Sequence, residues 1–302
     1  MKKVISILLV AFLILGIFVR CGESDSQTVS SNDDSVNPTN YTQDKENNLS
    51  GEQNGEIVTI DKTIVYDNNG IKVTVTGIEE GWTGTEIKFL VENSTDRNIA
   101  LSGDVIVVNG ITMPAYLYID VAAGKKTNST MSIYSANLDV AGVERIATIS
   151  GKDARIVDTD SYETIAEAPF EIITSVGTDY IQQLDESGDI VFESNGITVI
   201  AKIISGSIFG KEVILLAKNE SGNNVIIEAE NISVNGFTVD GWMYDTVFAE
   251  TVRFCELDIY SSSLEENGIT QVEDVSFTIN LIDAMSYNRI AKSNEIQIFV
   301  NP

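Results

Sequence analysis

The 302-residue chain has no histidine. Its absence removes the Ser-His and Cys-His dyads, most zinc sites and the commonest general base near neutral pH. No glycine-rich loop of the G-x-x-x-x-G-K type is present, which argues against nucleotide hydrolysis. Basic residues are few, 19 against 45 acidic ones, and the net charge of −26 opposes electrostatic capture of nucleic acid or of anionic lipid over the whole chain. Nucleic acid is therefore excluded as a partner. Cysteine occurs only at Cys21 and Cys255, and long amphipathic helical periods are missing. Carboxylates abound, and spacing alone leaves a glycosidase-like Asp/Glu pair open. Such a site sits in a deep cleft, however, and two small sandwiches joined by a short linker offer no obvious one. The expectation is a protein that is not an enzyme and uses no cofactor and no resident metal.

What is there begins with the N-terminus. Lys2 and Lys3 form a short positive region, and Val4 to Val19 is apolar apart from Ser6 and Gly16. This run suits a signal segment better than a spanning helix, which needs about 20 apolar residues. It ends at Arg20 and Cys21, followed by the polar stretch Gly22-Glu23-Ser24-Asp25-Ser26. The layout resembles a bacterial lipoprotein signal, which implies a lipid on the Cys21 thiol and Cys21 as the mature N-terminus. Phe18 and Arg20 depart from that motif, which has Leu and a small residue in their places. An uncleaved signal anchor with a plain cysteine beside the membrane is the alternative, and a secreted protein is a third. In the first two readings, residues 1–21 tether the chain to the cell membrane and the rest lies outside the cytoplasm, at the bacterial surface. With Cys21 lipidated, Cys255 has no intramolecular partner, so stability must come from core burial.

Residues 22–56 are built from Ser, Asn, Asp, Glu, Gln, Thr and Gly with scarcely any large apolar side chain. Such a segment cannot bury enough surface to offset the entropy of ordering, so it reads as a disordered acidic linker. Beyond it lies an internal repeat. Val65-Tyr66-Asp67-Asn68-Asn69-Gly70-Ile71 matches Val191-Phe192-Glu193-Ser194-Asn195-Gly196-Ile197 at an offset of 126. The same offset pairs Val107-Val108-Asn109-Gly110 with Ser233-Val234-Asn235-Gly236, and Gly142-Val143 with Gly268-Ile269. After Ser150 one residue is lost, and Ser161-Tyr162 then matches Ser286-Tyr287 at 125. One gap over about 100 residues means a duplicated domain, with boundaries at 57–176 and 177–302.

Each copy reads as strands. Ile71 to Val75 and Ile197 to Ala201 are rich in β-branched residues, and further runs follow at turn-separated intervals. Asn69-Gly70, Asn109-Gly110, Asn195-Gly196 and Asn235-Gly236 are type I′ hairpin signals, because that turn needs positive φ at both central positions. One local exception is a helical turn over Ser261 to Asn267, capped by Ser261 and ended by Gly268. The expected fold is all-β: two tandem immunoglobulin-like antiparallel sandwiches. The V-[YF]-[DE]-x-N-G-I opening and the V-N-G strand end of each copy make the chain similar to tandem Ig-like surface lipoproteins of anaerobic Gram-positive bacteria. That resemblance implies a surface location and no established activity.

Candidate recognition residues are aromatic. Tyr116 and Tyr118 match Trp242 and Tyr244 across the copies and stand two apart, hence on one face of a strand. Core packing is the expected role, since a feature kept in both copies is usually what the fold needs; exposed, the pair would bind a sugar ring or a protein partner. Trp82 stands in the Gly-rich loop Glu79 to Gly84, and its counterpart is Ile208. A large aromatic on a loop of one copy only is a feature that binding adds. Asp158-Thr159-Asp160 and Asp185 to Asp189 are acidic turns to be weighed as calcium sites and read as simply solvated. Cys255 shares a strand face with Leu257 and Ile259, as a buried apolar thiol would. Two functions follow from these readings: a non-enzymatic binding or adhesion module for a protein or glycan, and a spacer or scaffold lipoprotein for a membrane partner.

Overall fold

The computed structural model describes residues 51–53, 56–206 and 210–299. Cys21, the signal or anchor segment and the linker up to residue 50 lie outside the described residues, as does Ile208. In chain order the first half holds β1 (Gly51–Gln53), β2 (Glu56–Val58), β3 (Thr63–Asn68), β4 (Ile71–Glu80), β5 (Gly84–Asn93), β6 (Ile99–Val108), β7 (Ile111–Val121), β8 (Lys126–Tyr134), α1 (Ser135–Val140), β9 (Thr148–Gly151), β10 (Arg155–Asp158), β11 (Thr164–Glu167) and β12 (Phe170–Ile173). The second half holds β13 (Asp189–Ser194), β14 (Ile197–Gly206), β15 (Gly210–Asn219), β16 (Val225–Val234), β17 (Phe237–Thr238), β18 (Gly241–Trp242), β19 (Tyr244–Val247), β20 (Thr251–Tyr260), α2 (Ser261–Glu266), β21 (Asp274–Asp283), β22 (Arg289–Lys292) and β23 (Ile296–Phe299). The fold is all-β, with helix among the described residues confined to two single turns. The pairing of β1 with β2 puts residues 51–53 and 56 in strand rather than in disordered linker. Backbone pairing does not need the apolar side chains that the linker lacks.

The elements recur at the offset read from the sequence. Strands β3 to β6 return as β13 to β16, β8 as β20 and α1 as α2, 126 residues on, and β11 returns as β22 after 125; β12 returns as β23 after 126 again, so the residue lost after Ser150 is regained before the last strand, which the single gap of the sequence reading does not include. The lost residue has a structural meaning. In the first half β9 and β10 are separated by Lys152-Asp153-Ala154, whereas β21 runs unbroken through the equivalent positions. The repeated motifs carry backbone duties. Asn109 accepts at Oδ1 from the N–H groups of Ala147 and Thr148 and donates from Nδ2 to Arg145 O, and Asn235 does the same with Glu273, Asp274 and Gln271. All four Asn-Gly turns have positive φ at both residues, as a type I′ hairpin requires.

Each half encloses its own hydrophobic cluster, from Val58 to Ile172 in the first and from Phe192 to Ile296 in the second. In the first, β3-β4-β5-β8 faces the strands β11-β10-β6-β7; in the second, β13-β14-β15-β20 faces a sheet built on β17-β16-β21-β22. The halves are not beads on a linker. Strand β20 pairs in parallel with β7 through Val252 opposite Ile111 and Arg253 opposite Thr112, so one sheet runs through both halves. The buried hydroxyls of Thr112 and Thr251 share a hydrogen bond of 2.7 Å, and Val252 N–H donates to Gly110 O. Val252 and Phe254, on the outward face of the second half, pack against the first half's core. The expectation of two sandwiches connected only by a short linker is therefore corrected: apolar burial and backbone pairing at the junction join them.

The two halves differ most where β7 is matched. That strand pairs along β6 for its full length, but its counterpart is cut into β17, β18 and β19. The middle piece leaves β16 and pairs with β20, with Gly241 opposite Ile259. A Cβ on Gly241 would sit 2.5 Å from Asp258 O, so a glycine is needed for this approach. Helix α2 ends at Gly268 as expected, with φ 66° and a bond from Ile269 N–H to Leu264 O. Ser261 is not its cap, however. Tyr260 occupies that position without a side-chain bond, and the same turn recurs as α1 in the first half.

Candidate functional site

The outward positions of β7 are Pro114, Tyr116, Tyr118 and Asp120, while Ile111, Met113, Ala115, Leu117, Ile119 and Val121 point into the core. Tyr116 and Tyr118 are therefore not core residues. They are 67% and 38% exposed, and their rings lie 6.2 Å apart at 21°. Trp242 and Tyr244 behave alike, 58% and 36% exposed with rings 5.8 Å apart at 30°. The expectation of core packing fails because the aliphatic residues of the same strand already fill the inward face. Trp82 is fully exposed in the turn between β4 and β5, which is closed by Gly81 N–H to Gly84 O.

The second pair borders a pocket of about 170 Å³, lined by Pro114, Trp242, Tyr244, Arg253, Glu256 and Asp258 among others. It opens along the edge of β20 that faces away from β15, between the residues that pair with β7 and those that pair with β18. Asp245 reaches into that gap and accepts from Glu256 N–H at 3.2 Å while pairing with the buried Arg253 guanidinium. Burial pushes the Asp245 carboxyl up despite Arg253. Burial, followed by the charges of Glu212, Asp258 and Asp245, also raises Glu256, and burial with Glu212 and Asp245 raises Asp258. The charged pair belongs to one half only, since Ile119 and Thr127 stand at the equivalent positions of the first.

The acidic turns are committed to local bonds. Asp158 Oδ1 accepts from Asp160 and Ser161 N–H, which together with Arg97 holds its carboxyl below the usual range. Asp185, bonded by Ser187 and Lys202, is lowered to about 2. Among the described residues no group of three or more His, Cys, Asp or Glu side chains is placed to hold a metal ion. Cys255 is fully buried between the sheets of the second half, and desolvation raises its thiol well above the normal range. Among the described residues no helix is long and apolar enough to cross a membrane.

Sequence reasoning missed a cleft of about 780 Å³ at the junction, lined by Val140, Leu184, Ile214 and Phe254 with Lys202 and Glu212 at its polar side. A signal for it existed. Lys88, Lys126 and Asn128 of the first copy become Ile214, Val252 and Phe254 in the second, an exchange of solvated for apolar residues on one outward face. No family model matches the chain, and no curated protein matches it. A crystal structure described as the conserved domain protein from Bacillus anthracis is similar over 81% of this chain and 92% of that chain, at 13% identity and a TM-score of 0.27. At that score the likeness carries no argument about fold or function.

Proposed function

We propose that the chain is a membrane-tethered, extracytoplasmic binding or adhesion protein, without enzymatic activity, whose two halves are tandem immunoglobulin-like sandwiches. The observation that carries this reading is the exposed aromatic pair present in both halves, Tyr116 with Tyr118 and Trp242 with Tyr244. Solvent-exposed aromatic rings leave apolar surface in water that a ligand can cover, and they lose little side-chain entropy in doing so. The fully exposed Trp82 adds a third contact on a loop. The ligand is a protein or a glycan, and the absence of histidine supports recognition over catalysis.

The test is binding of the full chain to arrays of glycans and of surface proteins, compared with a Tyr116→Ala/Trp242→Ala variant. Loss of the captured signal in the variant is expected; an unchanged signal would sink the reading. Tethering is tested separately by mass spectrometry of the mature N-terminus, where a lipid on Cys21 is expected and an intact chain starting at Met1 would leave the uncleaved anchor. A second reading, a spacer or scaffold for a membrane partner, draws support from the sheet that runs through β7 and β20, since it fixes the angle between the halves.

A further inference from the structure

Tyr162 and Tyr287 are repeat counterparts, and both have positive φ, 60° and 57°. That region is a true outlier for a bulky side chain, and glycine or asparagine normally fills it. The loops around them are built alike. Asp158 O accepts from Tyr162 N–H at 2.8 Å and Asp283 O from Tyr287 N–H at 2.9 Å, while each aspartate's Oδ1 gathers the N–H groups between. A glycine would close either loop with less strain. Both halves nevertheless carry tyrosine, the residues being 80% and 69% exposed, so packing does not account for it. Strained residues of this kind concentrate where a protein acts.

In each half the loop of the strained tyrosine lies one strand away from the strand that carries the aromatic residues: Asp158 is opposite Ile99, itself opposite Val121 of β7, and Asp283 is opposite Val225, itself opposite Val247 of β19. Burial first, then Asp120, and then Tyr162 and Tyr116 raise the Tyr118 hydroxyl; burial, then Tyr287 and Glu228, raise that of Tyr244. The outward face of β7 also reaches the second pair. Pro114, two positions before Tyr116 on the outward face of β7, lines the same pocket as Trp242, Tyr244, Glu256 and Asp258.

Resting on the reading above, we infer that Tyr116, Tyr118 and Tyr162 and their repeat counterparts Trp242, Tyr244 and Tyr287 form two corresponding half-sites, which together bind an uncharged polysaccharide. Aromatic rings stack on the apolar faces of sugar rings, and the carboxylates of Asp120, Glu228, Glu256 and Asp258 at the rim accept from hydroxyl groups. The same carboxylates, within a chain of net charge −26, repel an anionic polymer. A duplicated site suits a ligand that is itself a repeat, because a second contact on one polymer is an intramolecular event.

The experiment is affinity electrophoresis of the detergent-solubilised full chain through gels holding a neutral β-glucan, a neutral mannan or polygalacturonate. Retardation by a neutral polymer and free passage through polygalacturonate are expected. Tyr162→Gly or Tyr287→Gly should each weaken retention about tenfold, and the double variant on the order of a hundredfold, with the circular dichroism spectrum unchanged. Passage unretarded by both neutral polymers overturns the inference, as does equal retention by polygalacturonate. If the double glycine variant keeps full retention while Tyr116→Ala/Trp242→Ala loses it, the aromatic-face reading stands and this extension falls. Retention that survives both variants removes the aromatic face as well.

Discussion

The strain at Tyr162 and Tyr287 makes a stability prediction that separates conformation from contact. Tyr162 is 80% exposed, so only about a fifth of roughly 200 Å² is covered, worth about 1 kcal/mol at 25 cal per Å². Tyr162→Ala removes that contact and keeps the left-handed backbone, so it should cost about 1 kcal/mol. Tyr162→Gly removes the same contact but also relieves a left-handed penalty of about 1–2 kcal/mol. Against this stands the greater entropy of glycine in the unfolded chain, about 0.5–1 kcal/mol. The glycine variant should therefore be near neutral and about 0.5–1 kcal/mol more stable than the alanine variant, which is about 1–4 °C in melting temperature for a unit of this size. Urea denaturation and calorimetry of both variants, with the Tyr287 pair as an internal duplicate, provide the measurement. An alanine variant as stable as the glycine variant would refute the strain. A glycine variant destabilised by about 3 kcal/mol or more would mean a packed ring and would remove the premise that it is free to bind.

Arg253→Met leaves the Asp245 carboxylate buried without its partner and should cost about 3–5 kcal/mol in urea, whereas Asp245→Ile/Arg253→Thr, which copies Ile119 and Thr127 of the first half, should stay within about 1 kcal/mol of the parent; equal losses would contradict the pairing. Because one sheet crosses the junction, the two halves should melt in a single calorimetric transition, and Thr112→Val should lower it by about 1 kcal/mol, with two resolved transitions counting against the fused sheet. The pH dependence has a definite sign: Asp245, Glu256 and Asp258 have raised values in the fold, so their contribution is fully present below the unfolded value near about 4 and is lost as pH rises through the raised values. Stability should thus increase as pH falls from neutral toward about 4 and decline below it, where the lowered Asp158, Asp185 and Asp283 take up protons. Glu256→Gln should flatten the upper part of that curve, and an unaltered slope would show that Glu256 is not part of it.

Much of the architecture was legible from local rules. The duplication needed only register, and the Asn-Gly hairpins only the steric demand for positive φ. Alternation placed Cys255 with Leu257 and Ile259 on the inner face correctly. The same rule, carried along the whole of β7, would have turned Tyr116 and Tyr118 outward: they share a face with Thr112, Pro114 and Asp120, and the opposite face is wholly aliphatic. The cleavage of its counterpart into β17, β18 and β19 was not legible, because it depends on a close approach of Gly241 to Asp258 O that no period in the sequence reveals.

The two copies also act as controls for each other. Features that a single half needs are kept in both with their bonding intact, as with Asn93 and Asn219, whose side chains bridge to Arg97 and Val121 in one half and to Asn223 and Val247 in the other. Features that answer to a different environment diverge, as when Lys126 and Asn128 give way to Val252 and Phe254 where the second half meets the first. The aromatic groups fit neither class. Tyr116, Tyr118 and Tyr162 recur as Trp242, Tyr244 and Tyr287, yet all six project from the core and two are held in a conformation that glycine would adopt more readily. A feature present in both halves that neither core uses, and that at Tyr162 and Tyr287 carries a conformational penalty, is what the proposed binding face accounts for.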